Sequence, residues 1–480
     1  MTTLDFAVMG VYGAGTIALG AAFARRQGDA ADYFLGKRDL PWWAVMLSIV
    51  ATETSAITVI SVPGLAARGD FTFLQIAFGY VIGRIVVAWL LLPGYFQGEQ
   101  ETAYARLESR FGPATRRAAS AVFMIVRALA DSVRVFATAI PLGIVAGWSL
   151  PVSIGVIALV TVLYTWAGGL KAVVWLDVTQ LAVYGVGGIA TVFVAANLAG
   201  GVGHAVDLAA AAGKLRVIDA TWSFSAPYSL LGGLVGGALL SAASHGTDHL
   251  IVQRLLATRS LRDARRALVG SGLLVTVQFA LFLLVGTMLW ASGNAAPGVP
   301  SDQLYPRFIV SGLPSGLAGL VVAGILAAAM GTHSSALTSL ASAATHDFYA
   351  PITGRRDPKE LLRAGRWITV IWAALLLCIA LAFRSNDTPV VELALSIASI
   401  TYGGLLGAYV LAGVPRTRQR DVLAALAVAT VAMVIVVLAK PGPFAHLAWP
   451  WYVPLGLAIA LAVGLGSSLI GARALGPATS

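Results

Sequence analysis

Apolar residues fall in long uninterrupted blocks separated by short loops that hold most of the charge. A membrane-spanning helix needs about 20 mostly apolar residues. Thirteen blocks meet that requirement, at approximately 4–24, 42–66, 73–96, 117–147, 150–168, 174–199, 229–250, 266–292, 312–345, 365–384, 389–413, 420–439 and 450–470. The pattern predicts an all-α polytopic membrane protein. The blocks at 117–147 and 312–345 exceed the bilayer, so those helices must tilt, kink or run on into water. No loop is long enough for a separate soluble domain; the longest, about 200–228, has room for a short amphipathic helix.

Composition agrees. The chain is 58% hydrophobic and 11% charged, against roughly a quarter charged in soluble domains. Its net charge is +10, but these charges punctuate apolar blocks and argue for membrane topology over nucleic-acid binding. With the N-terminus outside, 23 of the 32 Lys and Arg residues fall in alternate, cytoplasmic loops and 6 fall outside, Arg384 among them. The expected setting is the bacterial inner membrane, with the C-terminus in the cytoplasm. The first block follows Asp5 and precedes Arg25 and Arg26. That order is opposite to a cleaved signal peptide, so a retained helix is expected. The single cysteine, Cys378, lies inside an apolar block, where a small packing residue is expected.

Polar residues inside the blocks carry the chemistry. Glu53 lies in the second block, within Ser48-Ile49-Val50-Ala51-Thr52-Glu53-Thr54-Ser55-Ala56. A carboxylate at that depth needs a partner, water or a cation. A helix broken at this Ser/Thr run would present free carbonyls to a cation; a hydrogen bond to a neighbouring helix is the alternative. The ninth block reads Ala328-Ala329-Met330-Gly331-Thr332-His333-Ser334-Ser335-Ala336. Residues 328, 331, 332 and 335 share one helix face. Their oxygens suit a hard cation, and their small size equally suits close helix packing. Asp177 begins the sixth block, either as a further oxygen ligand or as a solvated interfacial acid. In the fourth block Asp131 is spaced to pair with both Arg127 and Arg134. That cluster is net positive, so it could hold a substrate carboxylate or simply neutralise itself. Arg84 and Glu392 are intramembrane charges without an assignable partner.

These residues carry a resemblance to the sodium/solute symporter family. The chain is similar to it over roughly 33–420, through Tyr33-Phe34-Leu35-Gly36-Lys37-Arg38 with Leu40-Pro41-Trp42-Trp43, and Arg106-Leu107-Glu108-Ser109-Arg110-Phe111-Gly112. Further on come Gly168-Gly169-Leu170-Lys171-Ala172-Val173 before Asp177, Gly246-Thr247-Asp248 with Gln253-Arg254, and Asp347-Phe348-Tyr349. The resemblance implies a leucine-transporter-like fold with an inverted five-plus-five repeat. The single domain then divides into an extra helix at 4–24, repeats at 42–199 and 229–413, and two C-terminal helices at 420–470. An odd number of helices per unit permits that inversion. The resemblance also implies a sodium site at Ala51, Thr54, Ala328, Gly331 and Thr332, and a second at Ser334, Ser335 and Asp177. Gly331 departs from the family's usual Ser, so a hydroxyl is missing there, and Glu53 is a candidate to replace it. Substrate contacts map near Ala51 to Thr58, hence Glu53 and Thr58, and near Arg84, Ala130, Asp131, Ser241, Ser244 and His245.

The expected function is sodium-coupled symport of a small organic solute, such as a carboxylate or amino acid, by alternating access. Proton coupling, or transport independent of sodium, is the alternative. A membrane sensor is less favoured because only about ten residues follow position 470. A channel would show rings of charge, and an enzyme a nucleophile–base pair or metal-ligand cluster; neither pattern is present in the sequence.

Overall fold

The computed structural model describes residues 1–24, 29–98, 100–383 and 390–474, and every regular element among them is helical. Arg25, Arg26 and Arg384 of the charge pattern lie outside the described residues, as do the side chains of Glu392 and Arg473. In chain order the main helices are α1 (Thr3–Ala24), α2 (Trp42–Glu53), α3 (Ala56–Arg68), α4 (Leu74–Tyr95), α5 (Pro113–Ala146), α6 (Leu150–Leu198) and α7 (Val202–Ala211). Then come α8 (Gly237–Gly246), α9 (His249–Leu256), α10 (Leu261–Ala291), α11 (Ser301–Gly312), α12 (Leu317–Ala343), α13 (Pro358–Ala382), α14 (Val390–Ala412), α15 (Gln419–Ala439) and α16 (Tyr452–Ala474).

Among the described residues, nine helices are long and apolar enough to cross a membrane, or ten with α2 and α3 taken as one bent span. The other three expected spans are helical but depart from that pattern. Helix α5 carries Arg127, Asp131 and Arg134 in its middle. The block at 150–168 is the first arm of α6, which turns at Gly169. Its φ of 56° lies in the left-handed region, which glycine enters without steric cost. The block at 229–250 is two helices, because the chain breaks between α8 and α9 at Thr247 and Asp248. That second break is a correction to the single span expected there. The loop after α6 does hold a short helix, α7.

Both breaks have local causes. At the first, α2 and α3 meet at 64°. In an unbroken helix the Ser55 N–H would reach the Ala51 carbonyl; here it bonds Glu53 O at 3.1 Å. Ala51 and Thr52 thereby leave the helical ladder with their carbonyls free for other donors. At the second, the Asp248 side chain accepts from the Leu250 N–H at 2.9 Å and caps α9, which supplies one of the orphan donors of a helix start.

Helix α12 is the axis of the core. It packs most extensively on α6 and also meets α2, α5 and α13. Nearly all of it is buried, including Thr332, Ser334 and Ser335, and such small residues allow close helix approach. Large apolar side chains such as Trp89, Leu90, Val277 and Leu438 face outward, as on a lipid-facing surface. Cys378 also lies on that exposed surface instead of packing inside.

The loop contacts of the basic residues fall into two separate sets. Arg38 donates to Gln100 O, Arg259 to Asp39, and Arg110 to the carbonyls of Val414, Pro415 and Thr417. On the other side, Arg68 donates to Ala295, Ala296 and Val299, and Lys214 to Ala66, Ala67 and Gly69.

Candidate functional site

The carbonyls freed at the first break meet α12. The Thr332 hydroxyl sits 3.4 Å from Thr52 O and 3.0 Å from Ala328 O. Ala51 is buried beside them. Thr54 is buried too, and its hydroxyl accepts from Gln278 Nε2 at 2.6 Å. The result is a pocket of hydroxyl and carbonyl oxygens at the C-terminus of α2, where the helix dipole is negative. Oxygen ligands of this kind suit a sodium ion.

One turn further along α12 lies a second oxygen cluster. Asp177 Oδ2 accepts from Ser48 at 2.5 Å, from Arg254 Nη2 at 3.1 Å and from Thr52 at 3.4 Å. Arg254 also donates to Ser335. Ser334 and Ser335 donate to Gly331 O at 3.0 and 2.6 Å. Asp177 and Arg254 are fully buried. Asp177 is therefore no solvated interfacial acid, and Arg254 is no loop cation as the charge pattern suggests. A buried carboxylate demands a cation, and Arg254 supplies one.

A cavity of about 100 Å³ opens beside the first break. It is lined by residues from both broken helices and from α5 and α14, among them Glu53, Thr58, Arg127, Arg134, Ser244 and His245. Arg84, Asp131 and Ser241 stand apart from its lining. Arg84 donates to Glu53 and, at 2.6 Å, to Ser271. Glu53 also faces His245 Nε2 at 3.7 Å. Arg84 thus has a partner that local sequence does not reveal. Glu53, bound to basic groups, is not turned to the gap at Gly331. The Ser241 hydroxyl donates to Tyr80 O at 3.0 Å.

The charges of α5 pair across helices and not along their own. Asp131 meets His333 Nδ1 at 2.6 Å, so it does not bridge Arg127 and Arg134. Arg127 donates to Asp248 and, at 3.0 Å, to Tyr402; Tyr402 in turn donates to Asp248 at 2.7 Å. The half-buried Arg134 guanidinium has no hydrogen bond or ion pair among the described residues and faces the cavity. Sequence reasoning missed His333, Asp248 and Tyr402 as charge partners. Only Asp248 carried a signal, as an acid directly after the Gly246-Thr247 break.

A family model described as "Sodium:solute symporter family" matches residues 33–415. The chain is 28% identical over 419 residues to the sodium/sialic acid symporter NanT of Aliivibrio fischeri, covering 85% of this chain and 82% of that one. It is 29% identical over 376 residues to the sodium/sialic acid symporter SiaT of Proteus mirabilis, covering 77% and 76%. Among solved structures, the substrate-bound outward-open state of a Na+-coupled sialic acid symporter matches with a TM-score of 0.88 at 24% identity, over 98% of each chain. That likeness shows a shared all-helical transporter fold.

Proposed function

Because the chain belongs to the sodium:solute symporter family, we propose that its cavity receives a small organic anion and that Arg134 meets the carboxylate. The protein is an integral membrane, sodium-coupled solute symporter. The observation that carries the choice of solute is Arg134, a cavity-lining guanidinium with no hydrogen bond or ion pair among the described residues. A cation half-buried in a membrane protein is costly when unpaired, and a carboxylate binds guanidinium bidentately. The named solute of both bacterial relatives, sialic acid, is itself a carboxylic acid. Glu53, Thr58, Ser244 and His245 line the same cavity and complete its polar wall.

The coupling ion is cargo together with the solute. Ala51, Thr54 and Ala328 offer carbonyls for it and Thr332 a hydroxyl, while Asp177, Ser334 and Ser335 form the adjoining oxygen cluster. Helix α2 ends where both cargoes meet, so one rearrangement of the broken helix would open or close both sites. The repeats at 42–199 and 229–413 would rock about them, with the N-terminus outside and the C-terminus in the cytoplasm.

Uptake into proteoliposomes under an imposed sodium gradient tests this reading. Sialic acid and simple monocarboxylates should accumulate, and neutral sugars should not. Accumulation of neutral sugars alone would overturn the anion assignment.

A further inference from the structure

A second cavity, of about 530 Å³, lies between the short helix Ala105–Phe111, the loop from α14 to α15 and the C-terminal part of α16. Three of the residues lining it are arginines, Arg110, Arg416 and Arg418, joined by Gln419 and Ser468. No carboxylate lines it among the described residues. All three arginines belong to loops that the charge pattern assigns to the cytoplasm.

The cluster is held in place. Arg110 Nη2 donates to Pro415 O at 3.0 Å, Thr417 O at 3.2 Å and Val414 O at 3.4 Å, and its guanidinium lies over the Phe111 ring at 5.1 Å. The buried Thr417 hydroxyl reaches Leu411 O at 2.7 Å and Val414 O at 2.8 Å. With Thr417 turned inward, Arg416 and Arg418 on either side of it both reach the cavity. Neither makes an ion pair among the described residues. The acid nearest in sequence, Asp421, is buried and already accepts from the Arg418 N–H at 2.9 Å and from the Ser467 hydroxyl. Gathered cations repel one another, and a local conflict that the fold does not relieve marks a functional site.

An anion with several oxygens suits this cluster, because a phosphate accepts more than one guanidinium N–H at once. The cavity also adjoins the lipid-facing surface. Leu465, Leu469 and Ile470, around Ser468 on α16, are exposed apolar side chains. Acyl chains of a headgroup held by the arginines would lie along that face.

We propose that this cavity holds the headgroup of an anionic phospholipid, with Arg416 and Arg418 gripping its phosphate. Basic pockets between helices at the cytoplasmic membrane surface bind such headgroups. The bound lipid would tie the loop from α14 to α15 to α16, apart from the solute cavity and the cation pocket.

The test is the melting temperature of the purified full chain in a neutral detergent. It is titrated separately with dioleoyl phosphatidylglycerol, dioleoyl phosphatidylcholine, inorganic phosphate and polyglutamate. A ligand that binds the folded state raises that temperature with its occupancy. Phosphatidylglycerol should stabilise saturably, and the other three weakly or not at all. Arg416→Gln combined with Arg418→Gln should raise the phosphatidylglycerol concentration for half the effect about tenfold or more. Both side chains are exposed, so this variant should fold; if it does not, Arg416→Gln alone carries the test, with a loss of about fivefold. Arg355→Gln combined with Arg356→Gln removes the same charge from an exposed loop outside the cavity and should leave the titration unchanged. An equal loss in that variant would reveal general surface attraction and overturn the proposal, as would an unchanged titration in the cavity variant. If phosphatidylcholine or inorganic phosphate stabilises as well as phosphatidylglycerol, the assignment to an anionic lipid fails. If polyglutamate alone stabilises, the cavity takes an acidic protein segment and the assignment fails as well.

Discussion

Arg127 and Arg134 stand two turns apart on the same face of α5, yet they live in different chemistry. Arg127 is tied to Asp248 and Tyr402, which fastens α5 to the second helix break and to α14. Arg134 lines the cavity with no hydrogen bond or ion pair among the described residues. The same residue type on one helix thus serves once as a structural clamp and once as an open electrostatic socket. A charge in the membrane is informative by its partner, and the partner is set by tertiary packing.

Four substitutions sharpen or break this contrast. The largest effect belongs to Arg127→Gln. It strands Asp248 in the core, and breaking a buried pair costs about 3–5 kcal/mol. The protein should melt far lower in detergent without solute, and adding Asp248→Asn should restore much of the loss. Next is Arg134→Gln, which should leave the melting temperature nearly unchanged. It should weaken binding of a carboxylate solute by about 1.5–3 kcal/mol, roughly ten- to a hundredfold, in a direct binding titration. If Arg134→Gln unfolds the protein and Arg127→Gln does not, the two roles are reversed.

Thr332→Ala removes one hydroxyl from the candidate cation pocket and should cost about 1 kcal/mol of sodium binding, some five- to tenfold. Equilibrium sodium titration checks it, and an unchanged affinity would remove Thr332 from the ligand set. The smallest effect is expected of Arg134→Lys. It keeps the charge but loses the fork, so solute affinity should drop only a few-fold while the sodium dependence of uptake persists.

Much of the fold was legible because membrane helices announce themselves by apolar length. The first break was legible too, since Glu53 and the Ser/Thr run around it are costly in a continuous apolar helix. The break at Thr247 was not, because its apolar flanks read as one span. The candidate oxygen ligands on α12 stood out by their spacing. Charge partners did not. Asp131 has the local spacing for Arg127 and Arg134 but meets His333 from 202 positions away, and Arg84 finds Glu53 on another helix.

The central claim is that sodium and an organic anion bind side by side at the first helix break and strengthen one another. Solute affinity of the purified protein, measured by calorimetry with sialic acid across a series of sodium concentrations, tests it most directly. Linkage requires any gain in solute affinity from sodium to equal the gain in sodium affinity from solute. The account predicts carboxylate binding that tightens as sodium rises, and that Arg134→Gln weakens it at every sodium concentration. Carboxylate binding that is flat with sodium and untouched by Arg134→Gln would contradict it.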